Sequence, residues 1–386
     1  VNTNPLDEPV TVKTLKHRTI PFFNYPDLFA RDEKELMQVV RDVLARGAYI
    51  MQRDLTEFES RLAAYLGVKH VLGVADGTNA LVMAVKVLGL EPGDEVIVPS
   101  HTFVASAAAI HHAGAKPVLV DCGRDHLIDP RSVERAVTSR TRAIMPVQLN
   151  GRTADMTALQ SIADTHGLSI IEDSCQALGS KFRDRYAGTF GVAGTFSFYP
   201  SKTLGAFGDG GAFVTNDDKV AEYATLLRDH GRSESGDVVL FGYNARLDNL
   251  QAAVLNFKLD RYEDEIRRRR QIALIYDEIL RDIDDLILPP APGADPQHFD
   301  IFQNYEIESG RRDALRVYLE QNGIKTILQW GGKTIHQFGK LGLNIDLPNT
   351  DRMTERFMLL PMNTSLADDD VHYVAEQVRR FYGLRA

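Results

Sequence analysis

Three short stretches of this chain carry residues whose types and order could do chemistry together. In the first, Ala75-Asp76-Gly77-Thr78-Asn79-Ala80-Leu81, an apolar run breaks at a glycine and a helical pattern starts at once. Free backbone N–H groups at a helix start, with the helix dipole behind them, form an anion site. Gly77 permits close approach and the Thr78 hydroxyl adds a donor. The same residues also read as a plain β–α turn with Asp or Thr as helix N-cap. In the second, Ile170-Ile171-Glu172-Asp173-Ser174-Cys175-Gln176, a carboxylate ends a buried apolar run. Such a group is costly unless paired. Asp173 could pair with a protonated ring nitrogen and keep the proton on it, or it could cap the next helix. In the third, Lys202 follows the aromatic run Phe196-Ser197-Phe198-Tyr199-Pro200 and precedes Gly205, Gly208, Gly210 and Gly211. An isolated lysine is ordinarily solvated, but apolar surroundings depress its pKa and make it a Schiff-base nucleophile. The glycines leave room for a ligand. They are not a dinucleotide fingerprint, because they open no helix after a strand and no ribose-binding acid follows. Together the stretches supply, in chain order, a phosphate cradle, a carboxylate for a ring nitrogen and a Schiff-base lysine.

Ligands in open parallel sheets bind beyond the carboxyl ends of the strands, and the chain has the alternation that builds such a sheet. Apolar runs at 70–75, 95–98, 117–120, 142–149 and 168–171 are separated by helical patterns at 78–88, 103–112, 130–137 and 156–166. This predicts an α/β fold with a mostly parallel sheet flanked by helices. Two further runs, 195–199 and 211–215, lack a long helix between them, so the sheet is expected to be mixed and of the seven-stranded type. Before it, residues 1–30 read as an extended arm containing Pro21 and Pro26, with helices at 31–46 and 55–66. After it, about 246–281 reads as one long helix bridging to a small α/β domain. That domain has strands at 305–308 and 325–328 and helices at 313–321 and 369–381. The expected organisation is an arm (1–30), a large domain (31–260) and a small C-terminal domain (261–386).

Bulk properties exclude several classes. The 386 residues are 44% hydrophobic and 25% charged, ordinary for a globular protein, with a formal net charge of -9. That charge disfavours nucleic acid and anionic membranes as partners. No apolar run approaches the roughly 20 residues of a membrane span, and the first residues do not resemble a signal peptide. The two cysteines, Cys122 and Cys175, are expected as reduced thiols in a cytoplasmic protein. No metal site is expected. The adjacent His111 and His112 point to different sides of a helix, and no Cys or carboxylate cluster completes a set around them. Cys175 reads as a small buried thiol.

The segments "ADGTNAL", "EVIVPSHTFVAS", "IIEDSCQALGS", "FSFYPSKTLGAFGDGGAFVTND", "LLRDHGR", "GYNARLDNLQAAVL" and "LPMNTSLADDDVHYV", spanning about 49–381, resemble in order the DegT/StrS family of pyridoxal-phosphate (PLP)-dependent sugar aminotransferases. The resemblance implies the aspartate-aminotransferase-like fold of PLP enzymes, fold type I, with the large domain binding PLP. It implies pyridoxamine phosphate as the cofactor's intermediate form. Position by position, Lys202 matches the Schiff-base lysine and the proton shuttle, and Asp173 the partner of the pyridine nitrogen. Gln176 matches the donor to the ring hydroxyl oxygen, Gly77 and Thr78 the phosphate turn, and Ser197 a further phosphate ligand. Phe103 matches an aromatic packed on the ring, and Asn244 a residue that reaches the phosphate of the neighbouring subunit of a homodimer. The implied reaction moves an amino group from L-glutamate to a nucleotide-linked keto-sugar, at its third or fourth ring carbon.

Three departures bear on this reading. Many relatives have His and Tyr where this chain has Gln148 and Asn150, and often His where it has Asn363; Gln148, Asn150 and Asn363 are expected near the substrate rather than the cofactor. Asp76 stands where Ser or Asn is common, and beside a phosphate it would be repulsive unless it points away as an N-cap. An anionic substrate needs a local basic rim, for which Arg228, His230, Arg232, Lys333 and His336 are candidates, each equally readable as an ordinary surface charge. Three rivals share the scaffold. A sugar dehydratase would have His in place of Lys202, a non-catalytic PLP-binding regulator would need a further binding module, and a cyclitol aminotransferase would ignore nucleotide.

Overall fold

The structure, a computed structural model, describes residues 18–384. Its centre is a seven-stranded sheet made of β1 (His70–Val74), β2 (Glu95–Pro99), β3 (Lys116–Val120), β4 (Thr141–Ile144), β5 (Ser169–Asp173), β8 (Ala193–Ser197) and β9 (Gly211–Thr215). Two short strands, β6 (Lys181–Phe182) and β7 (Arg185–Tyr186), form a hairpin between β5 and β8. The order is β1-β9-β8-β5-β4-β2-β3. Pairing is parallel throughout except that β9 runs antiparallel to both neighbours. The missing helix between the last two runs is therefore what makes the sheet mixed, since a hairpin-like return suffices for an antiparallel pair.

Both faces of the sheet are covered, and the period-two alternation of its strands divides them. In β9, Phe213 enters one hydrophobic cluster while Ala212 and Val214 enter another; β1 splits likewise between Val74 and Val71. Helices α3 (Gly77–Lys86), α4 (Val104–His112), α5 (Pro130–Ala136), α6 (Met156–His166) and α7 (Asp218–Arg228) follow their strands and pack on them. Helix α2 (Arg53–Leu66) packs on β1 through Leu55, Phe58 and Leu62, a helical-period stripe.

The N-terminal helix begins earlier than the sequence suggests. Helix α1 spans Tyr25–Arg46, with proline in its first turn and a non-helical kink at Asp32 (φ -119°, ψ 15°). Pro26 opens a helix rather than extending an arm, because its fixed φ suits the first turn. The remainder of the expected arm before residue 18 lies outside the described residues.

A larger correction concerns 246–281, which is two helices: α8 (Asn249–Leu259) and α9 (Tyr262–Leu280). The chain breaks at Asp260 and Arg261. Arg261 (φ -113°, ψ 10°) serves as the N-cap of α9, its carbonyl accepting the first helical bonds from Asp264 and Glu265. The charges that read as one alternating face are the two ends of separate helices. Lys258 sits in the last turn of α8, and Glu263, Asp264 and Glu265 in the first turn of α9, each matched to its helix dipole.

Helix α9 leads into a second core. Its residues Ile272, Tyr276 and Leu280 pack with α10 (Arg312–Gln321), α12 (Asp368–Phe381) and a three-stranded antiparallel sheet of β10 (Leu286–Ile287), β12 (Tyr305–Ser309) and β13 (Phe357–Leu360). The short β11 (His298–Phe299) returns to pair with β6, and α11 (Pro348–Thr354) precedes β13. The strand expected at 325–328 is only a single bridge, Ile327 to Leu359. Among the described residues no helix is long and apolar enough to cross a membrane.

Candidate active site

The three stretches converge where the strand ends predict. After β1, Asp76 turns its carboxylate onto its own helix, accepting Asn79 N–H (2.8 Å) and the Asn79 side-chain amide (2.7 Å). This caps α3, with the acid taking the Asn79 N–H of the first turn and leaving those of Gly77 and Thr78 free of it. Helix geometry leaves the Gly77 and Thr78 N–H groups without intrahelical acceptors, and Thr78 is exposed. Gly77 is required by packing. A Cβ on it would lie 2.9 Å from Ser197 Cβ and 3.0 Å from Cys175 Sγ, which brings the phosphate turn, the end of β8 and the 173–176 loop into direct contact. A Cβ on Gly211 would reach within 2.8 Å of Gly77 N, so that glycine lets β9 run against the same turn.

At the end of β5, Asp173 is buried. Its Oδ2 accepts the Ser106 hydroxyl (2.7 Å) and its Oδ1 accepts Cys175 N–H (3.2 Å). Ser106 in turn exchanges a hydrogen bond with Thr102 (2.7 Å) at the start of α4. Lys202 lies in the loop after β8, half-buried, with its chain on the wall of a cavity of about 540 Å³. Burial pulls its amine below the ordinary lysine range, against the opposing charges of Cys175 and Asp173. Burial and then the nearby Asp173 charge push the Cys175 thiol well up, so it stays a thiol. The peptide on either side of Lys202 is clamped by one side chain: Gln303 accepts Thr203 N–H and donates to the Ser201 carbonyl, both at 2.8 Å.

Gln176 follows Asp173 on the same loop. Its Oε1 accepts Asn150 N–H (2.9 Å) and the Asn304 amide (3.3 Å), which leaves its NH2 group facing the other way. Ser197 ends β8 beside Gly77. Phe103, at the N-cap of α4, is 53% exposed, a large ring left bare in the single chain. Asn244 is exposed as well. It adjoins Ala245, whose carbonyl accepts Ala75 N–H (2.9 Å), so it lies beside the phosphate turn of its own chain and not against Lys202.

Several expected roles are corrected by geometry. Gln148 is fully buried, donating to Glu172 (2.9 Å) and accepting Ala154 N–H (2.7 Å). Burial pushes the Glu172 carboxyl up, while the N–H groups of Gly188, Phe190 and Gly191 and the Gln148 amide hold it in place. Gln148 is thus spent on a buried structural latch between Glu172 and Ala154. Asn150 bonds Gln176 through its backbone N–H and Glu306, Asn304 and Gln329 through its side chain. Asn363 does line the Lys202 cavity, and its amide pins the carbonyls of Pro21 and Phe22 (3.1 and 3.0 Å). Of the basic-rim candidates, Arg228 is buried on Glu59 and the Gly73 carbonyl, and His336 is buried between Ser100 (2.7 Å) and Asp351 (2.9 Å). Neither can serve a rim; Arg232 and Lys333 remain exposed. Sequence reasoning missed Ser106, Gln303 and Asn304. Each acts through a partner 67 or more positions away, and no local pattern announces such a contact.

These features have counterparts. A model of the DegT/DnrJ/EryC1/StrS aminotransferase family matches residues 30–379. The dTDP-3-amino-3,4,6-trideoxy-alpha-D-glucose transaminase of Streptomyces venezuelae is 38% identical over 94% of this chain and 96% of its own length. A relative from Geobacillus stearothermophilus named pleiotropic regulatory protein is 37% identical over 94% of this chain and 98% of its own. Among solved structures, S. venezuelae DesV in complex with a ketimine intermediate matches with a TM-score of 0.90 at 37% identity, covering 94% of this chain and 98% of that one.

Proposed function

We propose, since this chain belongs to the DegT/DnrJ/EryC1/StrS aminotransferase family, that it is a PLP-dependent transaminase moving an amino group from L-glutamate to a nucleotide-linked keto-sugar at its third or fourth ring carbon. The observation that carries the reading is the convergence of a depressed lysine, Lys202, with the Asp173 carboxylate and the Gly77–Thr78 turn at one end of the sheet. The residues fit the cofactor. The Gly77 and Thr78 N–H groups stand free at a helix start with Ser197 packed beside them, and the capping acid is occupied by Asn79.

When bound, PLP supplies an aldehyde carbon that accepts amines and a pyridinium ring that takes up electrons. This chain's residues do the rest. Gly77 and Thr78 hold the phosphate with N–H and hydroxyl donors at a helix start, and Ser197 adds a hydroxyl from the end of β8. Asp173, oriented by Ser106, keeps a proton on the ring nitrogen. Gln176 presents its NH2 group to the ring oxygen. Phe103 covers a ring face. Lys202, its amine drawn below the ordinary lysine range by burial, would anchor the cofactor and then move a proton between the donor's α-carbon and the cofactor carbon.

The protein works as a homodimer in this reading. The excursion that ends at Asn244 carries Phe241, fully exposed in the single chain, with Val238 (67%) and Val239 (59%) beside it. Neighbouring apolar side chains left bare mark an interaction surface, which a second copy would cover, and the resemblance gives Asn244 at its end the role of reaching the partner's phosphate.

The test is the visible absorption spectrum of the protein with PLP, before and after L-glutamate. A yellow band that bleaches to a near-ultraviolet one is expected. A protein that stays colourless with PLP would overturn the cofactor assignment. A yellow band indifferent to glutamate would move the search to other donors, or to cofactor binding without turnover.

A further inference from the structure

The carboxylate of Glu306, in β12 of the small domain, is fully buried against the large domain and accepts four hydrogen bonds. Its Oε2 takes N–H groups from His126 Nδ1 (2.7 Å), Asn150 Nδ2 (2.8 Å) and His101 Nε2 (3.2 Å), and its Oε1 takes the Gln329 amide (2.8 Å). His126 is held from its other side by Glu308 Oε1 (3.0 Å), which Arg352 also binds. A carboxylate with this many donors is saturated, so Glu306 is a fixed anchor across the domain seam. Of these groups Asn150 alone touches a residue assigned to the cofactor, Gln176, and the mechanism above makes no use of any of them.

Asn150 hangs from this anchor. It is a non-glycine residue in left-handed backbone (φ 56°, ψ 11°), a conformation that its surroundings must hold. Its Nδ2 is on Glu306, and its Oδ1 accepts amide N–H groups from Asn304 (2.9 Å) and Gln329 (2.9 Å). With the side chain so tied, the Asn150 backbone N–H points at Gln176 Oε1 (2.9 Å), and Asn304 adds a second donor to that oxygen (3.3 Å). Both contacts are to the oxygen. A side-chain amide whose oxygen is claimed twice has only one orientation, with NH2 directed away.

We infer that Asn150 and Asn304, anchored on Glu306, are positioning residues that fix the amide of Gln176 with its NH2 toward the cofactor's ring oxygen, so that the domain seam sets the proton affinity of the lysine–cofactor linkage. This rests on the functional reading above. A donor to the ring oxygen favours its anionic form and makes the adjoining Schiff-base nitrogen easier to deprotonate. Loss of the donor, or a population of flipped amide, makes that nitrogen hold its proton to higher pH. A merely structural seam would change stability and leave this midpoint in place.

The experiment is a spectrophotometric pH titration of the PLP-loaded protein and of Gln176→Ala, Asn150→Ala, Asn304→Ala and the combinations of each with Gln176→Ala. Gln176→Ala is expected to move the midpoint up by about one pH unit, a roughly tenfold change in proton affinity. Asn150→Ala and Asn304→Ala should each move it in the same direction by less, and should add nothing in the Gln176→Ala background. Should Asn150→Ala not fold, Asn304→Ala carries the test alone. The inference is overturned if Gln176→Ala shifts the midpoint and the asparagine variants do not, or if their shifts add fully to it. It is equally overturned if Gln176→Ala leaves the midpoint where it was. A wild-type protein that develops no visible band with PLP would instead overturn the functional reading itself.

Discussion

At the scale of single residues, the chemistry depends on one amine and one missing side chain. Lys202→Ala should lose turnover altogether while keeping its fold, because the half-buried lysine supports no packing core; assay of the half-reaction with L-glutamate checks this, and normal turnover would sink the assignment. Thr78→Ala should leave the chemistry in place and weaken PLP binding by roughly 10- to 100-fold, the loss of one hydrogen bond to a charged group. Gly77→Ala should be far worse, since its methyl would lie 2.9 Å from Ser197 Cβ and 3.0 Å from Cys175 Sγ. Equilibrium dialysis against PLP separates the two. These residues were legible in the sequence for local reasons: Lys202 sits among aromatics, Gly77 breaks an apolar run, and Asp173 ends one. Ser106 was not legible, because a serine in a helix of small residues becomes an aspartate's orienting donor only when α4 is laid on β5.

At the scale of elements, the sheet was readable and the helix ends less so. Alternating apolar runs and helical patterns imply a parallel sheet whatever the exact boundaries, and the missing helix between β8 and β9 implied its one reversed strand. The region 246–281 misled because alternating charge fits equally the face of one helix and the facing ends of two. The cap of α3 makes a sharper test. Asp76→Ala removes acceptors for Asn79 N–H and should destabilise the protein by about 1 kcal/mol, whereas Asp76→Asn keeps a capping oxygen and should be close to neutral. Urea unfolding of both variants measures the difference. Equal losses would mean that the aspartate's charge, not its cap, is what the turn needs.

At the scale of the whole molecule, the sheet's core and the second core meet on buried charge. Burial opposes a charged His126, but Glu306 and then Glu308 outweigh it and push the imidazole up to about 9. Glu308, with burial opposing, is held down at about 2 by His126 and Arg352, and Glu306 lies well below the carboxylate range beside His101 and His126. The unfolded His126 has the ordinary value near 6.5. Its contribution is therefore complete below about pH 6.5 and is lost as pH rises through 9, and the carboxylates' contribution is complete above about pH 4.5 and is lost toward 2. Cofactor-free protein should be most stable between these limits and lose on the order of 3 kcal/mol from pH 6.5 to 9.5. A thermal melt that is flat across that interval would refute the seam's charge state, and His126→Gln should flatten it. None of this was visible in the sequence, where His101, His126 and Glu306 are scattered over 205 positions with no shared pattern. At the same scale, Phe241→Glu should weaken self-association, read as a concentration-dependent mass by light scattering.

The clamp on Lys202 has a consequence in time. Gln303, which holds the peptides on both sides of the lysine, and Asn304, which holds Gln176, lie about 100 residues further along the chain. At roughly 5–20 residues per second, a ribosome needs about 5–20 s after making Lys202 to make the pair that sets it. A nascent chain shorter than that carries every residue of the 77–202 stretch proposed to hold the cofactor and still lacks the Gln303 and Asn304 bonds that set Lys202 and Gln176. On the functional reading proposed above, cofactor loading would be a late event in the life of each molecule, following the emergence of a two-residue bend just before β12.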